Sequence, residues 1–206
     1  GSDNTTGSTA APNGKTVGSQ ANCAPGTLRA EGSSAQKNAI EAAITSYQRG
    51  CDQATINYNP SGSGAGIKNF VAGQVDFAGS DSALKTDEAA AAAKTCGSPA
   101  WNLPMVTGPI AIAYRLQGVS VLTLDAATAA RIFSGEITTW NDPAIAALNT
   151  GVTLPATPIR VFFRSDESGT TDNFTKYLKA AAGSAATLEP GKKWSGKVGE
   201  GKEKSA

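Results

Sequence analysis

The sequence predicts an α/β protein with a largely parallel sheet. Two observations favour this fold class. Short apolar runs typical of strands alternate with segments of helical periodicity, and small loops of glycine and hydroxyl residues join several strands to the helices that follow. Strands that alternate with helices run in one direction, because each helix returns the chain to the edge where the next strand starts.

The first half of the chain contains three predicted strands, at residues 27–30, 54–58 and 75–78. A fourth is predicted at residues 103–114, where a long apolar run is interpreted as a crossing between two lobes. A segment with helical features follows each of the first three strands: the apolar stripe of Ile40, Ala43, Ile44 and Tyr47, the apolar Ile67, Phe70 and Val71, and the acid-led run 86–94.

The second half predicts helices at residues 126–133 and from Pro143 onward, since proline suits the first turn of a helix. A strand is predicted at residues 158–163. It leads into a last helix whose apolar positions are Phe174, Tyr177 and Leu178.

The two ends of the chain lack a core pattern. Residues 1–22 contain no Leu, Ile or aromatic residue and are predicted to form a disordered tether. Such a tether suits a surface lipoprotein, so we expect a lipid-bearing cysteine just upstream. Residues 191–206 are predicted to be exposed or interrupted.

Composition excludes several functions. The chain has no histidine, which excludes Ser-His-Asp catalysis, Cys-His catalysis and most zinc sites within it. Lys and Arg number 18 against 17 Asp and Glu, and a net charge of +1 is too weak to recruit nucleic acid or an anionic membrane. No apolar run approaches the length of a transmembrane helix.

Three cysteines are present, at Cys23, Cys51 and Cys96. None forms a CxxC pair, which argues against zinc binding and thioredoxin-like chemistry. One disulfide with one free thiol suits an exported protein, and three reduced, packed cysteines are the alternative. The sequence does not select the pair.

Small donors recur at helix starts. Three loops, Gly32-Ser33-Ser34, residues 61–66 and Ser168-Gly169-Thr170, lie between a predicted strand and a helix. In a parallel sheet such loops gather at the carboxyl edge, where ligands bind. Helix N-termini present backbone N–H groups and partial positive charge, and hydroxyls add donors. The three loops together predict an oxyanion site, although each alone is more often a plain cap or turn.

Two charged residues refine this prediction. Arg164 precedes the third loop, where its guanidinium can bind a tetrahedral oxyanion with two hydrogen bonds, or pair with Asp166, or do both. Asp81 follows the third strand and repels an anion that has no proton to donate. Phosphate near neutral pH carries such a proton and sulfate does not, so Asp81 favours phosphate over sulfate.

The chain resembles the substrate-binding proteins of Pst-type phosphate ABC transporters. Five motifs in order carry the resemblance, from about Thr27 to about Leu178: GSSAQ at 32–36, YNPSGSGAGI at 58–67, VDFAGSDSAL at 75–84, IFSGEITTWNDPAI at 132–145 and RSDESGTT at 164–171. The resemblance implies a two-lobed type II periplasmic-binding-protein fold with mostly parallel sheets and phosphate in the cleft. It implies a first lobe at residues 23–107 and a second at residues 108–206, the second incomplete because family members are usually much longer.

The resemblance also implies the ligands. Matched motif by motif, the phosphate-binding residues are Ser34, the backbone of Ala35, Ser63, Asp81, Arg164, Ser168, Gly169 and Thr170. Asp166 matches the residue that pairs with the arginine, and Gly32, Ser33 and Gly62 support the loops. Many relatives carry Thr and an aromatic residue where Ser34 and Ala35 stand. The three cysteines would precede strands of the first lobe and gather at the edge opposite the ligand.

The resulting prediction is a non-catalytic, extracytoplasmic phosphate-binding lipoprotein that needs no cofactor or metal and delivers phosphate to a membrane permease. Another tetrahedral oxyanion, such as sulfate or molybdate, is the alternative within this class. A phosphatase-like hydrolase with Ser168 as nucleophile, and an adhesion or sensor protein that reuses the fold, are the alternatives outside it.

Overall fold

The computed structural model describes residues 23–203. In it, three parallel strands form the sheet of the first half of the chain. The predicted tether, residues 1–22, lies outside the described residues. The strands are β1 (Gly26–Gly32), β2 (Ala54–Asn59) and β3 (Phe77–Gly79), and β1 lies between the other two. Each strand precedes one helix: α1 (Lys37–Gly50), α2 (Ser63–Val71) and α3 (Thr86–Cys96). We call these six elements the three-stranded unit.

A second, two-stranded unit follows. Its helices are α4 (Ala126–Ser134), α5 (Pro143–Leu148) and α6 (Gly169–Ala182), and a 3₁₀ turn covers Gly183–Ala185. Its strands β4 (Phe162–Arg164) and β5 (Glu200–Lys202) run parallel, with Phe163 opposite Gly201. The two units confirm the predicted α/β class with parallel sheets.

Three helices of the two-stranded unit start where a side chain caps the backbone. Asp125 accepts from the N–H of Thr128 at 2.7 Å, and Asp142 accepts from the N–H of Ala144 at 2.9 Å. Ser168 caps α6 by accepting from the N–H of Thr171. Such caps satisfy donors that the helix leaves unpaired and so fix the start of each helix. Helices α4 and α5 begin at the predicted residues, Ala126 and Pro143, whereas α6 begins earlier than predicted, at Gly169 within the third loop.

Two apolar clusters hold the two-stranded unit together. Helices α4 and α6 share a cluster of Ala129, Ala130, Leu178, Ala186 and Leu188. A second cluster joins α4 to α5 through Ile132, Ile137 and Ile145. Leu178 and Ile145 are each fully buried, and burial of such a side chain stabilises the fold by about 1.5–3 kcal/mol.

An aromatic stack extends the first cluster to β4. The Trp194 ring lies parallel to Phe163, with centroids 5.1 Å apart, and meets Phe133 edge-on at 6.0 Å. The predicted exposure of residues 191–206 is therefore wrong in part, since Lys192 is also buried and β5 pairs with β4. This segment packs through single side chains rather than through a periodic face, so its sequence carries no pattern.

The predicted strand at residues 103–114 is wrong. No strand is assigned there, and the apolar side chains of Trp101, Leu103 and Met105 are exposed by 83%, 69% and 69%. Ile110 and Ile112 line an apolar groove of about 730 Å³ against the two-stranded unit. An apolar run becomes a strand only when a neighbouring strand satisfies its backbone groups, and the described residues offer this segment none. The strand predicted at 158–163 is shorter and lies later, at Phe162–Arg164.

The disulfide joins Cys23 to Cys51, with the two Cα atoms 5.3 Å apart. These cysteines precede β1 and β2, so the bridge lies at the edge of the sheet opposite the loops that follow the strands. The prediction of one disulfide at that edge is confirmed. Cys96, at the end of α3, is an exposed free thiol, and the strand that it was predicted to precede is absent.

Candidate anion-binding site

The loops after β1, β2 and β3 touch one another, and glycines make the contact possible. The N–H of Gly62 donates to the carbonyl of Gly32 at 2.6 Å. Gly32 adopts φ 142°, and a Cβ there would overlap the carbonyl of Gly79. A Cβ at Gly66 would lie 2.5 Å from the Cα of Gly32. A side chain at these positions would force the loops apart, so the glycines bring three strand ends together.

Asp81 is held between two serines. The buried Ser33 hydroxyl donates to Oδ1 of Asp81, and the buried Ser63 hydroxyl donates to Oδ2 at 3.3 Å. The backbone N–H of Asp81 donates to Ser63 Oγ at 3.2 Å. These bonds fix the carboxylate at the meeting point of the three loops, and each oxygen keeps a lone pair for a further donor.

Tyr58, at the end of β2, supports the same corner. Its hydroxyl donates to the carbonyl of Ser33 at 2.7 Å. Burial, and then the nearby charge of Asp81, raise the pKa of Tyr58 far above its usual value. The phenol therefore remains a neutral donor at any physiological pH, and it secures the turn that carries the Ser33 hydroxyl.

The N-terminus of α6 points at this corner from the two-stranded unit. Ser168 and Gly169 are buried, and Thr170 is half-buried. A Cβ at Gly169 would lie 2.6 Å from Ser63 Oγ and 2.7 Å from the Cβ of Asp81. The absence of a side chain at Gly169 thus lets the helix start approach Asp81 closely, with its backbone N–H groups and partial positive charge.

Arg164 and Asp166 form an ion pair beside the second loop. Arg164 donates to Asp166 through Nε at 2.7 Å and through Nη2 at 2.6 Å. A Cβ at Gly62 would lie 2.5 Å from Asp166 Oδ2, so the pair borders the loop between β2 and α2. The N–H of Gly64 also donates to the carbonyl of Glu167 at 3.0 Å, which ties the two units together.

Most of the predicted residues therefore meet at one edge: Gly32, Ser33, Gly62, Ser63, Asp81, Arg164, Asp166, Ser168, Gly169 and Thr170. The two remaining residues precede α1. Ser34 is half-buried and its carbonyl accepts from the N–H of Lys37 at 3.3 Å, while Ala35 is exposed. The hydroxyl of this loop that reaches Asp81 is that of Ser33.

Several residues at this edge are not among those that the sequence motifs predict. Ser82, Asp172 and Asn173 bond across the two units, and Lys192 Nζ lies 3.3 Å from Glu88 Oε1. Asp172 and Asn173 carried one usable signal, since they lie three and four residues after Gly169 and so share its helix face, but no local pattern indicates their partners across the two units. The Lys192 contact joins segments 104 residues apart, which no local pattern encodes.

Within residues 23–203, no group of three or more His, Cys, Asp and Glu side chains is placed to hold a metal ion. The helices found in that range are all too short or too polar to cross a bilayer.

The fold defines a class: an α/β protein that covers part of the two-lobed periplasmic-binding fold, with hydroxyl-bearing loops at the carboxyl ends of its parallel strands. Residues 9–204 match the family model described as the PBP superfamily domain. The chain belongs to this superfamily.

Curated relatives agree with the motifs. The chain is 52% identical to "Phosphate-binding protein PstS 3" of Mycobacterium leprae over 201 residues, which cover 98% of this chain and 54% of that protein. It is 56% identical to "Phosphate-binding protein PstS 3" of Mycobacterium tuberculosis over 175 residues, which cover 85% of this chain and 47% of that protein. The chain thus spans about half the length of these relatives, and the predicted resemblance is confirmed.

A solved structure agrees with the fold. The crystal structure of a "Putative Phosphate ABC Transporter Substrate-Binding Protein with Bound Phosphate" from Clostridium perfringens superimposes with a TM-score of 0.55 at 23% identity. The match covers 74% of this chain and 56% of that protein. At this identity the likeness bears on the fold alone.

Proposed function

We propose that the chain binds inorganic phosphate at the edge where the two units meet. The observation that carries this proposal is the placement of Asp81. Its carboxylate accepts from the hydroxyls of Ser33 and Ser63 and faces the N-terminus of α6. A site made only of donors would hold any oxyanion. A carboxylate fixed among donors favours an anion that brings its own proton.

The charge balance supports phosphate over sulfate. Monohydrogen and dihydrogen phosphate, both present near neutral pH, carry an O–H group that can donate a hydrogen bond to the Asp81 carboxylate. Sulfate has none, so its oxygens would face the carboxylate with like charges in contact. Such a contact costs more in a partly buried site than in water, because the effective dielectric constant is lower.

The proposed phosphate ligands are those that the motifs select. In the first three loops they are the Ser34 hydroxyl, the Ala35 backbone, Ser63 and Asp81. In the two-stranded unit they are the backbone and hydroxyl donors at the start of α6 and the guanidinium: Ser168, Gly169, Thr170 and Arg164. Asp166 would orient Arg164. Ser33 would hold the Asp81 carboxylate in place through its hydroxyl rather than bind the anion.

The proposal extends to transport. The protein would act outside the cytoplasm without catalysis, close residues 23–107 and 108–206 over the anion, and present the closed form to the permease of an ABC importer. The names of the curated relatives and the presence of a disulfide support this role. The residue upstream of residue 1 would bear a lipid, and mass spectrometry of the native N-terminus would reveal it.

Isothermal titration calorimetry on the 206-residue chain tests the binding proposal. We expect phosphate to bind and sulfate to bind at least about 100-fold more weakly, the size of one unfavourable charge contact of about 3 kcal/mol. Equal affinity for phosphate and sulfate would contradict the role given to Asp81. The absence of binding heat with both anions would contradict the proposal that the chain binds phosphate.

A further inference from the structure

Helix α6 is fastened to the loop of Asp81 by two consecutive residues. The Ser82 hydroxyl donates to Oδ2 of Asp172 at 2.6 Å. Nδ2 of Asn173 donates to the backbone carbonyl of Asp81 at 2.8 Å. Two neighbours on the helix thus hold two neighbours on the loop, across the boundary between the two units.

Asp172 is suited to this contact because its carboxylate is buried and ionised. Its side chain is 1% exposed, and Oδ2 also accepts from Lys176 Nζ at 2.7 Å. Burial by itself raises the pKa of Asp172, but the hydrogen bonds from Lys176 and Ser82 and the nearby lysine charges outweigh it and lower the pKa. A buried carboxylate that loses a donor is costly, so the Ser82 bond resists separation of the units.

Asn173 contacts the backbone of Asp81 itself. It lies four residues after Gly169, one helical turn along the same face of α6. Gly169 is the point where the helix start approaches Asp81 and Ser63. The Asn173 bond therefore sets the separation between the Asp81 carboxylate and the first N–H groups of α6.

We infer that Asp172 and Asn173 are positioning residues that align Asp81 with the N-terminus of α6, and so set both the affinity for phosphate and the discrimination against sulfate. The inference rests on the proposed function. An acceptor and a set of donors select an anion only when the distance between them is fixed, because a loose pair would adjust to either anion.

The test compares Ser82→Ala and Asn173→Ala with two matched controls. Ser195→Ala removes an exposed hydroxyl that bonds to the Glu189 carbonyl, and Asn38→Ala removes an exposed amide from α1. Phosphate and sulfate affinities are measured by calorimetry, and melting temperatures by circular dichroism, for all four variants and the unchanged chain. Either site variant alone tests the inference if the other does not fold.

We expect Ser82→Ala and Asn173→Ala each to weaken phosphate binding about tenfold and to lower the phosphate-to-sulfate ratio, as the loss of one buried hydrogen bond would. Both controls keep the affinity and the ratio of the unchanged chain. A lower melting temperature with an unchanged ratio would reduce the two contacts to structural ones and overturn the inference, as would unchanged binding of both anions. If the unchanged chain itself does not bind phosphate, the proposed function fails first, and that outcome is visible before any variant is measured.

Discussion

The Arg164 guanidinium and the Asp166 carboxylate are joined by two hydrogen bonds, from Nε at 2.7 Å and from Nη2 at 2.6 Å. This contact uses two of the five N–H donors of a guanidinium and fixes its plane. The arginine is therefore oriented before any anion arrives, so binding costs little side-chain entropy.

Replacement of Arg164 by alanine is expected to weaken phosphate binding about 100-fold, because the site loses an oriented positive charge. Arg164→Lys should recover part of the loss, since it restores the charge without the planar fork. The matched control is Arg131→Ala, which breaks an exposed pair with Glu136 (2.7 Å) away from the site. Calorimetry that finds equal affinity for Arg164→Ala and Arg131→Ala would show that Arg164 is not a ligand.

Asp81→Asn keeps the shape of the side chain but removes its charge. We expect phosphate to bind more weakly and sulfate more strongly, so that the ratio of their affinities falls at least about tenfold. Asp76→Asn is the control, because Asp76 pairs with Arg29 on the surface and outside the candidate site. An unchanged ratio in Asp81→Asn would contradict the role given to the carboxylate.

Gly169→Ala should prevent the close approach of α6 to the three-stranded unit. The added methyl group would lie 2.6 Å from Ser63 Oγ and 2.7 Å from the Cβ of Asp81, and both neighbours are confined. Gly191→Ala is the matched control, because a methyl group there would meet only the Lys193 carbonyl, at 3.9 Å. Phosphate titration should show a loss of affinity of at least about fivefold for Gly169→Ala alone, the effect of overpacking by about 1–3 kcal/mol.

Stability should fall in acid as Asp172 is protonated. The pKa of Asp172 in the folded chain is lowered from its ordinary value, despite burial, by hydrogen bonds from Lys176 and Ser82. Its contribution is therefore complete above the unfolded pKa of about 4 and is lost as the pH falls through the lower folded value. Asp172→Asn should melt at a lower temperature at pH 7, and its melting temperature should depend less on pH below 4. Parallel pH curves for both proteins would contradict this assignment.

Loss of the disulfide should reduce stability without changing the site. Cys23 and Cys51 close a loop with a sequence separation of 28, so replacement of both by serine should cost about 3–4 kcal/mol by the loop-entropy estimate. Phosphate affinity, measured below the melting temperature, should remain unchanged because the bridge lies at the opposite end of the strands. Cys96→Ser, which alters an exposed free thiol, is the control. Weaker binding in the double variant would show that the two ends are coupled.

The strands, helices and loops of the three-stranded unit follow from local signals. Strand periodicity and the loops of glycine and hydroxyl residues indicate the order of these elements, because the signals act within a few residues, although β3 lies at Phe77–Gly79 rather than at the predicted 75–78. Local signals do not decide whether the Ser33 or the Ser34 hydroxyl reaches Asp81. Both precede the same helix, and the one whose hydroxyl meets Asp81 depends on the direction of the turn.

Features that join distant segments were beyond reach of the sequence. The bonds of Ser82 and Asn173 depend on how the two units approach each other. Lysine side chains are usually exposed, so nothing in the sequence indicates that Lys192 is buried. The strand expected at residues 103–114 shows the opposite failure. Its apolar pattern is strong, but a strand also requires a neighbour, and a pattern says nothing about that neighbour.

The aromatic stack of Trp194 on Phe163 has a spectroscopic consequence. Phe163 directly precedes Arg164, so the indole rests on the strand that presents the guanidinium. Trp101, by contrast, is 83% exposed to water. Emission from a packed indole lies at shorter wavelength than emission from a hydrated one, and a soluble quencher reaches only the latter. The chain thus contains its own optical reporter beside the candidate site. Iodide quenches the emission of Trp101, and Trp140→Phe removes the emission of the third tryptophan, which is half-buried, so that the signal of Trp194 remains.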